Sequence, residues 1–483
     1  MVLIGATASQ ARSAISQGGS KAPHRFVEAD HEDTAVPTKI VRPPTSIIEQ
    51  DYVKGRTAYY EKLHDVSLDG VAKDALDACI RSWVALTTRI QNRQSIDVEA
   101  FEAKLASLSP EDEKDARIAY AKAWVHCHRR RYQDALQYLD AAEKGVAALP
   151  QPAMHRFFIE RRRTTIYQST EQSKLMAEAE DRAMIAILDA ACVEDFAAGR
   201  RYWWEVFTQT WNLRAADSVP TGTRFVRRLD ALDKIDPWVD AMIRGTCQIA
   251  EAWQKRGTGF ADTVGEAGWE GFTLAIEVAK KQFQRAWQID PKCPESATDM
   301  IAVCMGNSDD RTELLYWFEQ GLTAQFDYTK LHLALLWALY PRWGGSLDSM
   351  MTYGRACLAT GAWESQVPDF YWNAFLSCAS ELEREGGARR MLRTPGVLEE
   401  IDSYLQGVHK AEWRKPGIDE HASHRVLAHF LAGKRERAVE LYAELGDRFV
   451  PRAFDTWKQL ERQATLDYLA AKLRERDDKG GKK

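Results

Sequence analysis

From Leu68 onward, apolar residues return every three or four positions: Val71, Leu76, Ile80, Val84 and Leu86 stand among charged neighbours. That spacing is closer to the period of a helix than to the two-residue alternation of a strand, and no strand-like stretch competes with it. Interruptions at Val219-Pro220-Thr221-Gly222, Gly257–Gly271, Pro341–Gly345, Gly386-Gly387 and Lys415-Pro416-Gly417 divide the remaining chain into helical intervals. Residues 1 to about 50 show little periodicity and carry Pro23, Pro37, Pro43 and Pro44, so they read as an extended leader, with order expected from near Ile47.

The clearest unit opens at Ser109-Pro110-Glu111-Asp112. A hydroxyl cap, a proline at the first helical position and acids over the positive end of the dipole predict a helix start there. Tyr120, Trp124 and His128 then share one face, and Arg129–Arg131 favour the negative end. In the next helix Tyr132, Ala135, Leu136, Leu139 and Ala142 place small residues where a neighbour must come close, which resembles the second helix of a tetratricopeptide repeat. Phe283, Ala286 and Asp290-Pro291 echo the end of such a unit, Glu295–Met305 the opening of the next, and Gly433, Ala438, Val439, Leu441 and Tyr442 a further turn and second helix. The expected fold is all-α, with antiparallel helix pairs stacked as a degenerate solenoid, and an α/α toroid as the alternative.

The length, 483 residues, is too great for one small globule, and 45% apolar and 28% charged residues suit a folded chain. A net charge of −5 argues against a general nucleic-acid binder, and Arg129–Arg131 and Arg161–Arg163 are short enough to be solvated helix ends. Eight scattered cysteines without a close pair read as reduced core residues and point to the cytoplasm. Nothing approaches the roughly 18 apolar residues of a membrane helix. Met1–Arg25 lacks acids, but its apolar opening is too short for a signal-peptide core, and a disordered tail is the simpler account.

Candidate chemistry is thin. The glycines of 257–271 lack the Lys-Ser/Thr ending of a phosphate loop, and the aromatic Phe260, Trp269 and Phe272 make the segment a packed loop rather than a tether. His126-Cys127-His128 point in different directions along a helix, and His421 with His424 supplies only two ligands, so neither metal nor cofactor is expected. No nucleophile elbow occurs. Trp83, Trp124, Trp211 and Trp287, among 16 tryptophans, sit at core-like helical spacing. Local structure explains Pro341, Gly344, Gly345 and Ser346, which caps a helix from Leu347, but not the adjacent Arg342-Trp343.

Glu251-Ala252-Trp253, Arg256–Ala261, Gly268-Trp269, Phe283, Ala286-Trp287, Pro291, Met300-Ile301, Met305-Gly306, Trp317-Phe318, Trp337–Ser346, Met351, Gly354-Arg355 and Thr360-Gly361 together resemble an uncharacterised bacterial domain family of tetratricopeptide-like helical proteins. The resemblance spans roughly residues 240–375, and its Trp-Gly-Gly-Ser turn is its most specific part. It implies a helical fold and a bacterial source and carries no activity. The matched residues that helix packing explains least are Trp253, Trp269, Arg342, Trp343, Ser346 and Arg355, the candidate partner-binding set.

The expected layout is a disordered or extended tail over 1–50, helical repeats over 51–240, the Gly/Trp-rich and Trp-Gly-Gly-Ser region over 241–410, helix pairs over 411–475 and a disordered end over 476–483. The expected function is a non-enzymatic scaffold or adaptor that receives a peptide or partner protein, without nucleic acid or membrane. A carbohydrate-active enzyme on a toroid and an architectural subunit are the alternatives.

Overall fold

The computed structural model describes residues 36–63, 73, 74, 76, 98–109, 111–193, 196–257, 259, 263–306, 311–382, 386–412, 417–457 and 459–480. The expectations placed on residues 1–35, Val71, Cys79, Ile80, Trp83, Val84, Leu86, Pro110 and Phe260 lie outside them. The described chain is all-α, and among its residues the one β contact is an isolated parallel bridge, Ile47 to Gln325.

Helices α1 (Glu49–Leu63), α2 (Val98–Ala106), α3 (Ala116–His128), α4 (Tyr132–Gly145), α5 (Pro152–Ser169) and α6 (Ser173–Asp189) come first. The central run is α7 (Arg200–Thr210), α8 (Val219–Asp230), α9 (Pro237–Arg256), α10 (Glu266–Ile289), α11 (Pro294–Gly306), α12 (Arg311–Ala324) and α13 (Thr329–Ala338). After it follow α14 (Leu347–Ala359), α15 (Asp369–Glu381), α16 (Gly387–Arg393), α17 (Val397–Gly407), α18 (Ile418–Leu431), α19 (Arg435–Leu445) and α20 (Arg462–Gly480).

Consecutive helices fold back on each other in the pairs α3/α4, α5/α6, α9/α10, α11/α12, α14/α15 and α18/α19. Alternate helices also meet: α7, α9, α11, α13, α15 and α17 each touch the next member of that row, and α8, α10, α12, α14 and α16 pack onto it. The small-residue face read in α4 is where this begins, with Ala135, Leu139 and Ala142 fully buried in one cluster with Ala119, Ala123 and Ile166. One continuous core runs from Ile40 to Trp457. α11 sits deepest, with Pro294–Ile301 buried without a break.

The structure corrects two readings. Ser109 does cap a turn, accepting from the Asp112 amide at 3.1 Å, but that turn is a short 3-10 segment, Asp112–Lys114. α3 starts later because Asp115 is the stronger cap: its carboxylate takes the Arg117 amide at 2.8 Å and grips the Arg117 guanidinium. The stretch 257–271 is not all loop, since α10 begins at Glu266 and carries Gly268, Trp269 and Gly271 within it. Those glycines serve close approach to α9: a Cβ at Gly268 would lie 3.3 Å from the Lys255 carbonyl, and one at Gly271 would lie 2.9 Å from the Lys255 side chain.

Candidate functional site

α13 ends where Pro341 removes a backbone donor, and the chain turns through a 3-10 segment, Pro341–Trp343. The Trp343 and Gly345 amides both donate to the Tyr340 carbonyl, at 2.9 and 3.1 Å, which fixes the turn with Arg342 exposed and Trp343 half-buried. Trp343 meets Trp253 of α9 edge-on at 6.0 Å and Trp337 of α13 at 6.3 Å. Behind them Phe272 takes the edges of Trp253 at 5.2 Å and Trp269 at 5.8 Å, while Arg256 lies over both indoles, 5.4 and 5.1 Å from their centres. Arg342 lies 5.2 Å from the Trp337 and Tyr340 rings and pairs with Glu381. Arg311 donates to the Trp343 carbonyl at 3.0 Å.

Four of the six sequence candidates, Trp253, Trp269, Arg342 and Trp343, thus share one aromatic and guanidinium corner. The other two stand apart. Ser346 is the cap of α14, its Oγ accepting from the Ser349 amide at 3.0 Å. Arg355 pairs with Glu400 at 2.9 Å, and Glu400 also accepts from the Tyr371 hydroxyl. The selection missed Trp337, 38% exposed at the rim, as well as Arg256 and Phe272. Trp337 stands inside the matched motif at the end of an apolar helix, so only its exposure distinguishes it from core.

A second set of groups, which sequence reading did not find, lies at the other end of the same helix face. Lys330 and Trp337 are seven residues apart, so they project from nearly the same side of α13 about 10 Å from each other. Near Lys330, Arg201 of α7 donates to Glu295 of α11 at 3.0 Å and to Gln325 at 2.7 Å, and Arg214 pairs with Asp299. Glu295 and Asp299 are buried, and each has one carboxylate oxygen without a hydrogen-bond partner among the described residues. Burial holds the Asp299 pKa above its usual value despite Arg214. Lys330 is exposed, yet enough protein surrounds its ammonium to lower its pKa, with Arg214 adding to the effect. Together these groups form a charged wall beside the first turn of α13.

The chain before α7 covers the far side of this wall. Residues 36–48 are extended, as their prolines suggest, but they are packed, with Ile40 and Ile48 in the core. Ser46 donates to the Leu322 carbonyl at 2.6 Å, and the Phe326 amide donates to the Ile47 carbonyl at 2.9 Å. Asp327 then accepts from the Glu49 amide at 2.8 Å, at the N-terminus of α1. Along α1, Glu49 accepts from Gln325 at 3.0 Å, Tyr52 donates to Glu205 at 3.0 Å beneath Arg201, and Arg56 grips both Glu205 oxygens at 2.7 and 2.8 Å. Buried His332 secures the receiving turn by contacting the Phe326 carbonyl at 2.7 Å and the Tyr353 hydroxyl at 2.6 Å.

Burial pushes the Asp327 carboxyl up to about 6, with the Glu49 charge adding to it and hydrogen bonds from Gln325 and the Glu49 amide opposing it. A raised carboxyl pKa contributes stability that is complete below about pH 4 and is lost as pH rises through about 6. Asp327→Asn is therefore expected to stabilise the protein by about 1–2 kcal/mol at pH 7.5 and by nothing at pH 4, read from urea unfolding at the two pH values. An equal effect at both would refute the assignment.

The histidines and cysteines read as possible ligands have structural neighbours. His424 accepts from the Trp457 indole at 3.1 Å, His421 faces the His409 ring, and His126 lies 3.3 Å from Asp134. Among the described residues no group of three or more His, Cys, Asp or Glu is placed to hold a metal ion, and no helix is long and apolar enough to cross a membrane. Scanned against protein-family models and against curated proteins, the chain matches none.

Proposed function

We propose that this chain is a protein-interaction module, a cytoplasmic adaptor whose stacked helix pairs receive an extended segment of a partner protein along the exposed face of α13. The observation that carries this reading is that two recognition groups of different chemistry stand at the two ends of one helix face. Trp337, Trp343 and Arg342 form an aromatic anchor at one end. Lys330 and Arg214 present positive charge at the other. Interface hot spots favour tryptophan and arginine held in place by their neighbours, and Trp253, Phe272 and Arg256 supply that support. The row of alternating helices favours tetratricopeptide-like stacking. A carbohydrate-active enzyme has less support, because Glu295 and Asp299 are each tied to an arginine.

The spacing of the two groups along α13 sets the ligand. About 10 Å is roughly three residues of extended chain, so the fitting segment carries an aromatic or bulky apolar residue and an acidic residue, or a terminal carboxylate, three positions apart. Selection of a random-peptide display library on the full-length protein is expected to enrich that pattern. A Trp337→Ala/Trp343→Ala variant with unchanged helical circular dichroism should bind the enriched peptides at least tenfold more weakly. If the library yields no common pattern, or the variant binds as the wild type does, the reading falls.

A further inference from the structure

We propose that residues 36–63 are an exchangeable occupant of the helical array, an internal segment held where part of a partner protein docks. The inference rests on the docking reading above and names what that partner must carry in addition. Its basis is the chemistry of the contact. α1 turns Glu49, Tyr52, Arg56 and Tyr59 toward the array, and they bond to Gln325, Glu205 and Gln151. A helix committed to a core would present an apolar stripe there instead. α1 also makes no extensive backbone-level packing with any other described helix, whereas the pairs from α3/α4 to α18/α19 do. Long polar side chains bridge the distance.

Such a contact can open without a large loss of free energy. Arg56, Glu205, Tyr52 and Glu49 all recover water when α1 lifts, and buried ion pairs contribute little net stability compared with apolar packing. The apolar holdfasts are Ile40, Ile48 and Leu63, which are buried, and Val36, Val53 and Tyr59, which are only partly so. The seam beside them is incomplete: a cleft of about 540 Å³ separates Val36, Pro37 and Ile40 from Leu315, Phe318 and Leu322 of α12. Val41 stands 62% exposed at its edge. A competing chain gains its first foothold in this cleft.

The seated segment displays the pattern its replacement needs. An extended stretch, Ser46-Ile47-Ile48, adds one backbone bond beside Phe326 and then runs into a helix with Glu, Tyr and Arg at i, i+3 and i+7. A single backbone bond followed by a polar-faced helix is the recognition mode.

The test uses the full chain and a fluorescein-labelled synthetic peptide of residues 36–63. Glu49→Ala/Arg56→Ala in the chain weakens the resident segment while leaving its floor intact. This variant is expected to bind the peptide at least tenfold more tightly than wild type does, and adding Glu205→Gln on the floor, which removes the partner of the peptide's Arg56, should abolish the gain. Hydrogen exchange on the wild type provides the second arm: the Glu49 and Phe326 amides should exchange well before those of α11. Absence of peptide binding by the folded variant, or exchange of those amides as slow as that of α11, overturns the proposal. The Trp337→Ala/Trp343→Ala variant should still exchange its segment normally, so failure of the corner reading and failure of this one give different results.

Discussion

Arg201→Met is expected to lower the unfolding free energy by about 3–5 kcal/mol, the cost of leaving a buried carboxylate without its cation. Arg201 is one of the most enclosed charges in the described protein, and although burial opposes its charge, Glu295 keeps it firmly protonated. Its removal strands Glu295, which already has one oxygen without a partner, and Gln325, whose amide oxygen it holds at 2.7 Å. If the charge pair is the cause, Arg201→Met/Glu295→Leu should recover most of the loss, since an apolar pair of similar volume replaces it. Urea unfolding of the four proteins measures the coupling. Additive losses would show that Arg201 acts through packing instead.

Gly345→Ala is expected to cost about 2–3 kcal/mol and to displace Trp343, because a Cβ there would lie 2.0 Å from the Leu339 carbonyl oxygen and the backbone cannot yield cheaply. Gly344→Ala should cost less, about 1 kcal/mol: its φ of 78° disfavours a side chain, but the nearest atom is the flexible Arg311 guanidinium at 3.5 Å. Denaturation midpoints would rank the two, and tryptophan emission would report the corner. Equal costs would mean that the clash at Gly345 is relieved by a small backbone shift and is no worse than the left-handed strain at Gly344.

How much of this was legible in the sequence depended on distance along the chain. The α4 packing face and the Ser346 cap rest on residues within one or two turns of each other, so spacing alone revealed them. Trp253, Trp269 and Trp343 were singled out because packing did not require them, and the fold brings them together. Ser346 and Arg355 passed the same filter for another reason: one has a local capping role and the other pairs with a glutamate 45 residues away. The charged wall stayed hidden because each member reads alone as a solvated surface charge. Arg56 and Glu205 are 149 residues apart, and no periodicity connects them. The packing of residues 36–48 stayed hidden for the same reason, since the turn at Phe326 that receives them is far away in sequence.

That separation also sets an order of events during synthesis. Glu49 and Asp327, which meet at the start of α1, are 278 residues apart. At usual elongation rates of about 5–20 residues per second, roughly 15–55 seconds pass between the making of one and the other. During that interval the C-terminal part of α1 gains Gln151 and Glu205 as partners, and α3/α4, α5/α6 and α9/α10 can close as local pairs, but its Glu49 end still lacks Gln325 and Asp327. The segment made before all the other described helices is therefore fully seated only after most of the array is complete. Its docking marks the point at which the nascent chain stops offering its charged wall to other molecules.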